Sequence, residues 1–130
     1  MTAITTLRTT IANAIVDDTR YSTFAFPPAS PIAPSVVVAP SSAEYIVPNN
    51  NQWATIAPLA NFELRIYMPL LDNQGNLAGI EDTMVAVFNK LAASSIKFNV
   101  GSVSNLGTID TEQGTLLTAT INISTLTEWS

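Results

Sequence analysis

A chain of 130 residues is the size of one domain and can bury roughly two-thirds of the surface that its unfolded form exposes. It has no cysteine and no histidine, which excludes disulfides, a thiolate nucleophile, an imidazole base and the two commonest soft metal ligands. A net charge of −5 with only five basic residues argues against gripping nucleic acid by its phosphates, and the absence of any run of about 18 apolar residues argues against a membrane span.

Thr2 is placed to cap a first helix over Ala3–Val16, because Ile4, Leu7, Ile11, Ala14 and Ile15 recur at helical spacing on one face. The N-terminus lacks the basic-then-apolar order of a secretory signal. From Tyr21 to Pro34 the chain holds four of its eight prolines, at 27, 28, 31 and 34. Proline removes a backbone donor, so this stretch is expected to be an extended arm or loop carrying Phe24, Phe26 and Ile32. Ser35–Ala39 is β-branched, short and flanked by proline, the pattern of a strand buried on both faces.

A second extended piece, Tyr45–Val47, leads to a polar tip at Asn49–Gln52 with Trp53 behind it. Asn61–Tyr67 alternates Phe62, Leu64 and Ile66 with Glu63, Arg65 and Tyr67, so one side of this strand faces a core and the other faces water or a partner. Leu71–Asn76 has the composition of a turn. Asp82 or a neighbour then opens a second helix to about Ala93, with a stripe of Ile80, Met84, Val87, Phe88 and Leu91. Ile96, Phe98 and Val100 alternate in a third strand, Gly101–Gly107 reads as a bend or bulge, and Leu116–Ser124 forms a long final strand. The expected fold is one α+β domain over residues 1–130, a mixed, mainly antiparallel β-sheet covered on one face by two α-helices. Ile11, Ile66, Phe88 and Ile121 are expected in its core.

No pattern of catalytic residues emerges. Asp17-Asp18 is a pair of carboxylates without the six or so oxygens that calcium wants, and a solvated turn explains it. Glu81-Asp82 fits the start of a helix, where carboxylates are stabilising for structural reasons. Gly75 and Gly79 are followed by neither a dinucleotide fingerprint nor a phosphate-binding lysine. Without histidine, a serine or threonine nucleophile would depend on a lysine or a carboxylate as base. The expectation is therefore a protein that is not an enzyme, with no cofactor and no metal. The apolar fraction of 47% against 12% charged leaves apolar surface to cover, and a partner subunit is the outlet that remains. Phe24, Phe26, Ile32, Asn50, Trp53, Glu63, Arg65 and Tyr67 are the candidate protein-contact residues.

In order, these segments resemble the tail terminator proteins of long-tailed (siphovirus-type) bacteriophages. The resemblance is one of layout and covers nearly the whole chain. An amphipathic helix (Ile4–Val16) is followed by a proline-rich crossing into PSVVVAP (Pro34–Pro40), a polar loop and the strand FELRIYMPLL (Phe62–Leu71). A turn leads to the helix EDTMVAVFNKLA (Glu81–Ala92), and the closing strands end in LLTATINI (Leu116–Ile123). The resemblance implies a six-membered homo-oligomeric ring at the head-proximal end of the virion tail, assembled in the host cytoplasm. Such a ring caps the tail-tube protein, meets the head connector or neck protein, and lets DNA pass without specific binding. Two other readings fit a small mixed domain: another neck, connector or tail-tube subunit, and a small ligand-binding or enzymatic domain with a pocket above the sheet.

Overall fold

The computed structural model describes the chain except residues 1–2, 18, 20, 27–33, 43, 48–57, 70–72, 112–113 and 128–130, and only the backbone at 69, 73–78, 105, 111 and 114. In chain order the elements are α1 (Ile4–Ala14), β1 (Ser22–Phe24), β2 (Ser35–Pro40), β3 (Ile46–Val47), β4 (Leu59–Pro69), α2 (Asn73–Ala92), β5 (Asn99–Thr111) and β6 (Gly114–Leu126). The fold is α+β. Six strands form a mixed, mainly antiparallel sheet in the order β1-β2-β4-β6-β5, with β3 also paired to β4. Among the described residues only the β1–β2 pair is parallel.

The two helices cover one face of this sheet, α1 packing on β2 and α2 on β4 and β6. Strand alternation supplies the core on that side. Val36, Val38, Phe62, Leu64, Ile66, Ala119, Ile121 and Ile123 are buried there, and the register joins Val36 to Ile66, Val38 to Leu64, Phe62 to Ile123 and Leu64 to Ile121. Leu7, Ile11 and Ile15 come from α1, with Ile80, Val87 and Leu91 from α2. β2 is buried on both faces, as its run of β-branched residues implies.

Several boundaries differ from the sequence expectation. Ala3, not Thr2, is the residue before the first turn of α1, and no side chain caps it. Thr2 lies outside the described residues. The N-terminal part of the expected arm belongs to the fold: Tyr21 is a core residue, and Ser22–Phe24 pairs with Ser35–Val37 as edge strand β1. These residues precede the first proline, Pro27, so their backbone donors are intact, and the Ser22 amide donates to the Pro34 carbonyl at 3.1 Å.

α2 begins at Asn73, inside the expected turn, and Gly75 and Gly79 both lie within it. Each interior glycine costs a helix about 1 kcal/mol relative to alanine; packing on β4 and β6 outweighs that local preference. Ile96–Phe98 precedes β5, and Gly101–Gly107 lies inside β5 as two irregularities, between Val100 and Ser102 and between Ser104 and Gly107.

Phe88 is not a core residue. Ile80, Val87 and Leu91 are buried, whereas Phe88 is 46% exposed. It sits about 80° around the helix from Ile80 at roughly 3.6 residues per turn, on the flank of the buried stripe. There it makes an edge-to-face contact with Phe98, ring centroids 6.2 Å apart. Phe88→Ala is accordingly expected to cost about 1 kcal/mol in denaturant unfolding. A loss above about 3 kcal/mol would contradict this placement.

Candidate subunit interface

The residues that alternate with the core row of β4 define the other face of the sheet. Glu63, Arg65 and Tyr67 stand there beside Ala39, Val37 and Ser35 of β2 and Asn122, Thr120 and Thr118 of β6. Tyr67 is half-buried and Arg65 keeps 32% of its side chain exposed, but Glu63 is buried. Alternation alone does not reveal that burial.

Among the described residues, Ser42 and Arg65 hold the Glu63 carboxylate. One oxygen accepts from the Ser42 amide at 3.3 Å and from the Ser42 hydroxyl at 3.0 Å. The other accepts from Arg65 Nε at 3.0 Å and lies 2.9 Å from a terminal guanidinium nitrogen. Burial by itself raises the Glu63 carboxyl, but the bonds from Arg65 and Ser42, with the guanidinium charge, outweigh it and hold the group below its ordinary value.

A carboxyl lowered in the folded state stabilises the fold above the unfolded carboxylate range, and this is lost as pH falls through the lowered value. Arg65→Ala is expected to cost about 1–2 kcal/mol near pH 7, the guanidinium being partly in water. The difference from wild type should shrink as acid protonates Glu63. A cost unchanged between pH 7 and pH 3 would mean the pair does not supply it.

The other expected contact residues divide. Phe24 is half-buried on β1 and Phe26, just beyond, is 60% exposed. Ile32, Asn50 and Trp53 lie outside the described residues, as do residues 27–33 of the proline-dense stretch and the whole Asn49–Gln52 tip.

The structure adds residues that the sequence reading did not single out. Val100 and Val103 of β5 pair with the core residues Ile123 and Ile121, yet they are 40% and 51% exposed. Leu106 is 53% exposed on the same strand. One sequence signal was available: Asn99–Ile109 contains no charged residue and no proline, the guards that exposed edge strands usually carry.

The acidic pairs do not form a site. Asp17 lies in a turn, where a side-chain oxygen accepts from the Thr19 hydroxyl at 2.7 Å and its carbonyl accepts from the Tyr21 amide at 3.0 Å. Glu81 and Asp82 are exposed within α2, two turns after its start and not at it. Among the described residues no three His, Cys, Asp or Glu side chains gather to hold a metal, and no helix is long and apolar enough to cross a membrane. A groove of about 420 Å³ lies between Leu7, Leu59, Ile96, Phe98 and Leu126; among the described residues Lys97 is the one charged residue lining it. No family model matches the chain, and no curated protein matches it.

Proposed function

We propose that this chain is a non-enzymatic structural subunit that closes with copies of itself into a ring of the tail-terminator type. The observation that carries the reading is the set of large apolar side chains left in water, Phe26, Val85, Phe88, Val103 and Leu106 among them, on a chain with only 12% charged residues. Surface of this kind is covered in assemblies, and a heterologous contact that closes gives a ring. The order of elements resembles the phage tail terminators, which supports the more specific role. In that role the ring, of about six copies, sits at the head-proximal end of the virion tail, binds the last ring of tail-tube protein, blocks further addition and presents its other side to the head connector. A wall poor in Lys and Arg lets DNA pass without holding its phosphates.

Native mass measurement of the purified protein, alone and mixed with its tail-tube protein, is expected to give a closed species of about six copies. A chain that stays monomeric in both conditions refutes the reading. Copy number on the particle separates the roles within the class, since a tube protein repeats along the tail and a terminator occupies one ring.

A further inference from the structure

The sheet has two edges of unlike construction. At one end β5 runs for 13 residues and, among the described residues, pairs only with β6. Its helix-side residues Val100 and Val103 continue the rows of Ile123 and Ile121 outward, uncovered. At the other end β1 has three residues and, among the described residues, pairs only with β2, and α1 lies over β2. The exposed residues of α1 include Thr5, Thr6, Thr9 and Asn13, all uncharged.

We infer that β5 of one copy lies antiparallel against β1 of the next. The inference rests on the ring reading and names the contact that closes it. Strand direction supports it. β1 runs parallel to β2, and each step from β2 through β4 and β6 to β5 reverses direction, so β1 and β5 are antiparallel. Rotation about an axis along the strands leaves direction unchanged, and β5 therefore meets the next β1 antiparallel, the arrangement in which two edges can pair without a crossover.

Height supports it too. Ser22 is level with Gly107 through Ser35, Tyr67 and Thr118, and Phe24 is level with Ser104 through Val37, Arg65 and Thr120. A closed ring has no rise, so with strands along its axis the Ser104–Gly107 part of β5, including exposed Leu106, faces Ser22–Phe24 of the next copy.

Charge and shape favour this occupant over β5 of a second copy. Neither Asn99–Ile109 of β5 nor Ser22–Phe24 of β1 carries a charge, so no ion loses its water without a partner when the two edges meet. A β5-to-β5 contact would be two-fold and close at two copies, whereas a ring needs two unlike edges, and β5 with 13 residues and β1 with three are unlike.

Since the chain has no cysteine, introduced cysteines are the only thiols. Ser22→Cys and Thr108→Cys change exposed residues at the two edges. With a short bismaleimide, the double variant is expected to give a covalent ladder up to about six copies, a mixture of the two single variants to give dimers only, and each single variant alone to stay monomeric on a denaturing gel. Cross-linking of Thr108→Cys alone into dimers overturns the contact in favour of a β5-to-β5 pair. Rings seen by native mass without any ladder overturn the contact and leave the ring reading standing. A monomeric mass for the variant and the wild type removes the ring reading and this contact with it. As a second measurement, Val103→Asp should reduce assembly at least tenfold while leaving the far-ultraviolet spectrum and the unfolding midpoint of the dissociated chain within error of wild type. Unchanged assembly in that variant counts against the contact.

Discussion

Replacing Phe62 by alanine should lower the stability of the fold by about 3–5 kcal/mol. Phe62 is fully buried and is the largest such side chain in the core. It lies in the middle of the sheet, between Pro40 on β2 and Ile123 on β6, and meets the Tyr45 ring edge-to-face with centroids 5.6 Å apart. Truncation removes its apolar surface and leaves a void that strands paired on both sides cannot close by moving together. Urea unfolding at one fixed protein concentration is the measurement, because any assembly makes apparent stability depend on concentration. A loss below about 1 kcal/mol would place Phe62 outside a well-packed core.

The second large effect is expected at Tyr21. Its ring is buried and its hydroxyl donates to the Ile15 carbonyl at the C-terminal end of α1, where helix carbonyls lack intrahelical partners. One side chain thus both fills the core and ties α1 to the segment that enters β1. Tyr21→Ala should cost about 3–5 kcal/mol, and Tyr21→Phe, which keeps the ring and loses the hydroxyl, about 1–2 kcal/mol. Equal losses in the two variants would assign the whole effect to the hydrogen bond; no loss in either would mean that the segment before β1 is not part of the core.

Glu63 shows how far a site can be read from one strand. Its alternation with Phe62 and Leu64 puts it on the face away from the helices, and the structure agrees. That face is not simply solvent, because Val37 and Ala39 beside it are buried, and Ser42, distant in sequence, contributes two bonds to the carboxylate. A residue offered by pattern as a contact for a partner is therefore engaged by Ser42 and Arg65 of its own chain. The exposed apolar row went unseen for the opposite reason. Val100 looks like an inward strand residue, yet in the folded chain it is 40% exposed.

By itself the sequence determined the local periodicities: the α1 stripe of Leu7, Ile11 and Ile15, the alternation of Phe62, Leu64 and Ile66, and that of Ala119, Ile121 and Ile123, all buried in the folded chain. Those patterns depend on the repeat of a helix or a strand, which is encoded within a few neighbouring residues. Tertiary structure alone decided that β6 inserts between β4 and β5, that Ser22–Phe24 joins the sheet in parallel, that α2 extends back through Gly79 and Gly75 to Asn73, and that Phe88 stays at the rim. Each of these depends on which distant segment supplies the missing hydrogen bonds or covers the apolar side chain, and local preferences of about 1 kcal/mol per residue yield to that choice.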